Sequence, residues 1–406
     1  MRIVQRLLFF SFFVGIFLTI VAYARGYRLD LKQRSVTPTG IIAVTSSPKA
    51  GKIYINGEFK GATDTSFTLP PGKYTVEVKK DGFTDWKRDI VLKGELVMTA
   101  DALLFPLNAS LTPLTNLGVG KIVLVDQTGK LLLFTQTENE EKDGIYIFDQ
   151  SKKPFALFPP LKPLILKKNL PAHIDLLSSN VIFSPDYKEG IFEFVDQTDT
   201  LVAYDIAFDE EVQAPFDVTT SMDSITAAWE TERQEELVKI LETLPKDMRL
   251  IASDSFRIIS FAPDKTKFLY EATEEVTLAP IINPPLISAN QEQEERSLDP
   301  GTLYIYDIRE DKNFRLDIKD ADFNDKDWKA TAEKYVFWYP DSRHLVLNEH
   351  NQVSIIEYDN TNRQAVYSGP HELDFLDITS DGKLLILANL NPQTNKSPDL
   401  YVVGIR

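Results

Sequence analysis

Along most of this chain apolar residues come in short runs that alternate with polar ones, the pattern of half-buried β-strands. Five pairs of such runs share one template. Lys130–Phe134 precedes Ile145–Asp149, and Gly190–Phe194 precedes Leu201–Asp205. Lys267–Tyr270 precedes Leu303–Asp307, His344–Leu347 precedes Val353–Glu357, and Lys383–Leu387 precedes Leu400–Val403. Four pairs are led by a recurring turn: Phe183-Ser184-Pro185-Asp186, Phe261-Ala262-Pro263-Asp264, Trp338-Tyr339-Pro340-Asp341 and a worn Ile378-Thr379-Ser380-Asp381-Gly382. Proline fixes φ at about −65° and aspartate accepts a hydrogen bond from the backbone two residues on, so the motif reads as structural. The first pair keeps only Gln127-Thr128-Gly129. No such unit can bury its own faces, and repeats of this size stack radially into a β-propeller.

Three stretches break the β pattern. Leu7–Ala24 carries no charge and is apolar on every face, with Arg2 and Arg6 before it and Arg25 after it. Its 18 residues make a helix of about 27 Å, enough to cross a bilayer's hydrocarbon. Ala22-Tyr23-Ala24 also fits a signal-peptide cleavage site, but Arg25 and the length of the run favour a retained anchor. The second is Ile225, Trp229, Leu237, Ile240, Leu241 and Leu244, which share one helical face; Asp223 or Ser224 can cap this helix and Pro245 ends it. The third is Thr273–Pro300, too long for an ordinary connection, with an acidic run Gln291–Glu295. It reads as a surface loop or as part of a binding face.

Ahead of the repeats lies a compact β unit. Ile41–Thr45, Lys52–Ile55, Phe67–Leu69 and Tyr74–Val78 read as strands, Trp86, Ile90 and Leu92 continue the alternation, and Ala102–Phe105 closes it. Asn56-Gly57 is a hairpin turn, and Pro70-Pro71-Gly72 turns again. A polar stalk, Arg25–Thr39, precedes the unit, and Asn108–Gly120 reads as a linker after it.

The run from Ser46-Ser47-Pro48 through Gly51-Lys52-Ile53-Tyr54-Ile55-Asn56-Gly57, Gly61-Ala62-Thr63, Leu69-Pro70-Pro71-Gly72-Lys73-Tyr74 and Lys80-Asp81-Gly82-Phe83 resembles a PEGA domain. Two positions depart from that pattern: Lys49 replaces a small or acidic residue, and Asp64 stands where a proline is usual. The resemblance implies a small all-β spacer or adhesive module of prokaryotic envelope proteins, with no catalytic residues to carry over. The Pro-Asp turns resemble the Ser-Pro-Asp-Gly turns of TolB-type and WD40-like propellers, though the glycine survives only at Gly382.

Charge and composition narrow the chemistry. A net charge of −16 argues against nucleic acid, which needs clustered Lys and Arg. The absence of cysteine removes thiolate catalysis, iron–sulfur clusters, cysteine-ligated zinc and disulfides. His173, His344, His350 and His371 show no metal-binding spacing. No Gly-x-Ser-x-Gly elbow and no phosphate-cradling glycine motif is present. A carboxylate pair of the glycosidase type remains open, because its test is a separation in space. Trp338 and Tyr339 read as core, or as sugar or peptide contacts at a channel mouth.

The sequence therefore predicts a mostly β protein: an N-terminal transmembrane helix (1–25), a small PEGA-like β-sandwich (40–108) and a C-terminal β-propeller (115–406) of five to seven blades with a helical insertion. It predicts no catalytic, cofactor-binding or metal residue. The expected role is a non-enzymatic, membrane-anchored binding or scaffold protein of the cell envelope, its bulk extracytoplasmic, with an envelope protein or polysaccharide as partner. The alternative is a carboxylate-dependent polysaccharide hydrolase or lyase using the propeller channel.

Overall fold

The computed structural model describes residues 2–24, 27–30, 35–125, 129–137, 141–150, 161–171, 174–195, 201–241, 255–287, 290–318, 323, 328–393 and 396–405. Helix α1 (Arg2–Ala24) leads into a short ladder of β1 (Tyr27–Asp30) and β2 (Ser35–Pro38), where the sequence suggested only a stalk. Among the described residues no helix is long and apolar enough to cross a membrane. This overturns the expected transmembrane helix, and with it the placement as a single-pass membrane protein with its bulk outside.

The sandwich follows. One sheet has the order β6 (Thr65–Leu69), β3 (Gly40–Ser47), β9 (Val97–Leu103); the other has β5 (Glu58–Ala62), β4 (Lys52–Ile55), β7 (Gly72–Lys79), β8 (Trp86–Leu92). The inward residues of both sheets, among them Val44, Ile53, Val76, Val78 and Trp86, make its core. Asn56 and Gly57 turn the β4–β5 hairpin with φ of 52° and 79°, the two positive angles that a two-residue turn demands. Strand β9 starts earlier than its small residues suggested and runs parallel to β3. The two departures from the PEGA pattern are partners: Lys49 Nζ lies 3.2 Å from Asp64.

Five four-stranded antiparallel sheets come next, one for each strand pair read from the sequence. Strand β10 (Ser110–Pro113) precedes them. Blade 1 is β11 (Val119–Val125), β12 (Lys130–Thr135), β13 (Gly144–Asp149) and β14 (Leu161–Leu166); blade 2 is β15 (Asn180–Phe183), β16 (Glu189–Val195), β17 (Leu201–Ala207) and β18 (Phe216–Asp217). Helix α2 (Met222–Leu241) separates these from blade 3, which is β19 (Phe256–Phe261), β20 (Lys267–Ala272), β23 (Leu303–Asp307) and β24 (Lys312–Arg315). The small ladder β21 (Val276–Thr277) with β22 (Ser297–Leu298) lies in its insertion. Blade 4 is β25 (Val336–Trp338), β26 (His344–Glu349), β27 (Gln352–Glu357) and β28 (Gln364–Ser368). Blade 5 is β29 (Leu376–Ile378), β30 (Leu384–Ala388) and β31 (Asp399–Gly404), completed by β10 from far back in the chain. The expected linker thus contains the strand that closes the last blade.

The second strand of each blade reads as a continuous apolar run because both of its faces are buried. On β12, Leu131 and Leu133 point to blade 5, while Leu132 and Phe134 pack against Phe192 of blade 2. On β26, Leu345 and Leu347 meet blade 3, while Val346 meets blade 5. Cores therefore join the blades in the order 2, 1, 5, 4, 3, a propeller-like arrangement. Among the described residues no apolar core joins blades 2 and 3. Blade 2 is covered there by Ile225 and Trp229 of α2, and blade 3 by Leu278 and Leu298 of its insertion. Helix α2 begins at Met222, with Ser221 O accepting from Ile225 N, so Asp223 sits in its first turn and does not cap it. The predicted face residues Leu237, Ile240, Leu241 and Leu244 and the stop at Pro245 fall outside the described side chains or residues.

The recurring turn lies between the first two strands of its blade. Asp186, Asp264 and Asp341 each accept from the backbone N–H two residues on, at 3.2, 2.9 and 2.9 Å. The next residue is left-handed every time: Tyr187, Lys265, Ser342 and Gly382 have φ of 54°, 57°, 58° and 81°. The glycine's conformation is kept where the glycine itself is gone.

Candidate functional site

Strand β8 brings Trp86 and Arg88 against the far end of blade 4. Trp86 is buried, and its indole N–H donates to Glu357 Oε1 at 2.6 Å. Arg88 Nη2 donates to Glu357 Oε2 at 2.5 Å and to Asp359 at 2.6 Å. Asn362 Nδ2 also donates to Glu357 Oε1, at 2.7 Å, so both oxygens of this buried carboxylate are occupied. Burial disfavours the Arg88 charge, but Glu357 and Asp359 outweigh it and raise its pKa. A second contact joins β9 to the turn of blade 4: Arg343 Nη1 lies 2.6 Å from Asp101. Burial opposes the Asp101 charge, yet the Thr45 hydroxyl and Arg343 hold its pKa below the ordinary value.

The insertion of blade 3 completes the junction. Asp311 accepts from Ile281 N and Ile282 N and anchors the loop on its own blade. Asn290 Nδ2 donates to Tyr358 OH at 3.0 Å and to Asp359 at 2.6 Å. The Gln291 amide meets the backbone of β8, accepting from Val91 N at 2.6 Å and donating to Val91 O at 2.9 Å.

These elements enclose a cleft of about 600 Å³ between the sandwich and the turn end of blades 3 and 4. Eight lining residues are acidic (Asp89, Asp101, Asp264, Glu292, Asp307, Glu310, Asp341, Glu357) and four are Lys or Arg (Arg88, Lys267, Arg309, Arg343). Half of the acids face a cation or imidazole: Asp101 and Glu357 as above, Asp307 with Lys267 at 3.3 Å, and Asp341 with His344 Nδ1 at 2.7 Å. Glu292 is raised by burial and then by Asp359, and Glu310 is raised by burial despite accepting from Asn290 N. Burial also pushes the Tyr358 phenol up, while Lys267 Nζ sits 4.7 Å from its ring centroid.

Two of the recurring aspartates, Asp264 and Asp341, reach this cleft. Trp338 and Tyr339 are core residues instead of channel contacts: Trp338 packs between blades 3 and 4, and the buried Tyr339 donates to Gly382 O at 2.9 Å. His344 is buried on Asp341, and His371 Nε2 lies 2.8 Å from Asn348 Oδ1; His173 lies outside the described residues. Among the described residues no group of three His, Asp or Glu is placed to hold a metal ion. Sequence reading gave no site role to Arg88 or Glu357, while Asn290 lies in the stretch Thr273–Pro300 that it read as a surface loop or part of a binding face. The acidic run from Gln291 pointed to the cleft, and the recurring aspartates Asp264 and Asp341, read as structural, also line it.

Residues 39–106 match the PEGA domain. No curated protein sequence matches the chain. Among solved structures, TolB from Acinetobacter baumannii is 12% identical over 81% of this chain and 55% of its own, with a TM-score of 0.17. This chain thus spans about half the length of that protein. The PQQ-bound aldose sugar dehydrogenase of Streptomyces coelicolor is 13% identical over 74% of this chain and 100% of its own, with a TM-score of 0.29. Dipeptidyl peptidase 4 of Porphyromonas gingivalis is 11% identical over 66% and 36%, with a TM-score of 0.19. At TM-scores this low no chemistry transfers to this chain, and the propeller-like description rests on its own sheets.

Proposed function

We propose that the protein is a non-enzymatic binding or scaffold protein of the cell envelope, in which the PEGA unit (40–108) and the propeller unit (115–406) form one recognition platform. The observation that carries this is the junction itself. Trp86 and Arg88 are held on Glu357 and Asp359, so the PEGA unit is fixed against the blades and does not act as a loose spacer. The Arg88 and Glu357 charges of the cleft are engaged in that fixation, which favours a rigid recess over a reactive acid–base pair. The PEGA match supports the envelope assignment. The partner is an envelope protein or a polysaccharide.

The test sets binding against turnover. The purified chain is titrated calorimetrically with soluble envelope polysaccharides, and reducing ends are assayed in the same samples. In parallel a photo-crosslinking residue replaces the exposed Val97 in the native cell. Saturable binding or a discrete protein adduct without new reducing ends is the expected result. Release of reducing ends would sink the reading in favour of a carboxylate-dependent hydrolase or lyase. That second reading draws on Glu292 and Glu310, whose raised pKa values suit proton donation. Under it, Glu292→Gln or Glu310→Gln abolishes turnover.

A further inference from the structure

Strand β9 is the last strand of its sheet and pairs only with β3. Parallel pairing points alternate residues to opposite sides. Ile41 N donates to Leu96 O and Leu104 N donates to Ser47 O, so the even-numbered residues of this stretch bond inward. The N–H and C=O groups of Val97, Thr99 and Asp101 therefore face the other way, along the free edge. Val97, Met98, Thr99 and Asp101 all line the cleft. An unpaired edge is a template for another strand. It normally carries a block, such as a lysine, a proline or a covering loop, and β9 (Val-Met-Thr-Ala-Asp-Ala-Leu) has neither lysine nor proline.

The neighbouring edge shows what such backbone accepts. On β8 the Val91 N–H and C=O are both taken by one amide, that of Gln291, in the reciprocal way an added antiparallel strand would take them. The cleft volume of about 600 Å³ suits a ligand, and the lining carries eight acids against four cations. Asp89, Asp264, Glu292 and Glu310 form no ion pair with Lys, Arg or His among the described residues, while Arg88 is engaged by Glu357 and Asp359.

We propose that the cleft binds an extended, lysine- or arginine-bearing peptide segment of a partner protein, which adds as a strand to the free edge of β9. Backbone pairing with Val97, Thr99 and Asp101 supplies the affinity. The uncompensated carboxylates select basic side chains and reject acidic ones. The inference rests on the binding reading above and narrows its partner to a protein segment.

The test uses the full chain and a fluorescent seven-residue peptide that alternates lysine and valine, followed by anisotropy. Three probes accompany it: the same peptide with alternate backbone nitrogens methylated, a glutamate–valine peptide, and the parent peptide at high salt. Thr99→Pro removes one outward N–H and leaves the inward ladder intact, and Glu292→Gln removes one carboxylate without touching the backbone. Thermal melting of each variant confirms its fold. The parent peptide is expected to bind. The methylated and acidic peptides are expected to fail, salt to weaken binding, and Thr99→Pro and Glu292→Gln to weaken it about fivefold each. Equal binding of the methylated peptide, or no loss in either folded variant, overturns the strand-addition proposal. So does no binding at all, or dimerisation of the chain through β9 in place of peptide binding. None of these outcomes touches the binding reading, which fails separately if reducing ends are released.

Discussion

Blades 4 and 2 are cut from one template and put to different uses. Blade 4 is covered on both faces by other blades, and its turns hold the PEGA domain through Glu357, Asp359 and Arg343. Blade 2 meets another blade on one face and α2 on the other. Their charges differ in the same sense. At the end of blade 4 an imidazole faces the cross-strand acid, with His344 opposite Glu357. On blade 2, burial raises the pKa of both Glu189 and Asp205, and the carboxylates of Asp205 and Asp186 add to the rise at Glu189. Asp205 Oδ1 is buried without a hydrogen-bond partner. The lesson is that the strand template sets the blade, while the pairing at its end decides whether that blade is a docking point or a strained flank.

The largest test of this contrast is Trp86→Ala. Removing a fully buried indole from the blade 4 junction should cost about 3–5 kcal/mol in urea unfolding. Trp229→Ala, on the half-buried cover of blade 2, should cost less than half of that; equal losses would break the comparison. Next is Gly382→Ala in the turn of blade 5. A Cβ there would collide with the Tyr339 hydroxyl, at a φ of 81°. The expected loss is about 2 kcal/mol, read as a lowered melting temperature.

Asp205→Asn sharpens the electrostatic half. A carboxyl whose folded pKa is raised favours folding below its unfolded pKa and loses that contribution as pH rises through the folded value. The variant should therefore be more stable than the parent at pH 7, by about 1 kcal/mol, with the difference vanishing near pH 4. Asp341 of blade 4 runs the other way. Burial opposes its charge, but His344 and two backbone N–H groups lower its pKa. Its contribution is present at neutral pH and is lost as pH falls through the folded value. Smallest is Lys265→Gly, which relieves a left-handed residue at the cost of chain entropy; a gain of about 0.5 kcal/mol in calorimetry is expected.

The sequence revealed the blades through their central strands, because Leu131–Phe134 or His344–Leu347 are buried on both faces and leave long apolar runs. It hid strand β10, whose residues Ser110–Pro113 are all exposed and carry no hydrophobic signal. It also hid β9, where Thr, Ala and Asp dilute the alternation. The membrane span was read from the apolar run Leu7–Ala24, and among the described residues no helix is long and apolar enough to bear it out. The cleft was illegible for a different reason. Trp86 and Glu357 are 271 residues apart and belong to no motif, so only folding brings them within hydrogen-bonding distance. The acidic run near Glu292 signalled a loop with a role, and the contacts of Asn290 and Gln291 show which two surfaces it ties together.

The pairing of β10 with β31 has a consequence for how the chain comes apart. A protease nick in the connection 114–118 would sever the peptide and yet leave both fragments clasped, since β10 would still lie in the last blade and the indole of Trp86 would still be seated. The two pieces should co-elute from a sizing column under native conditions and separate only in denaturant. Trimming the chain through Pro113 instead bares the flank of β31 and invites another molecule's strand to take the place.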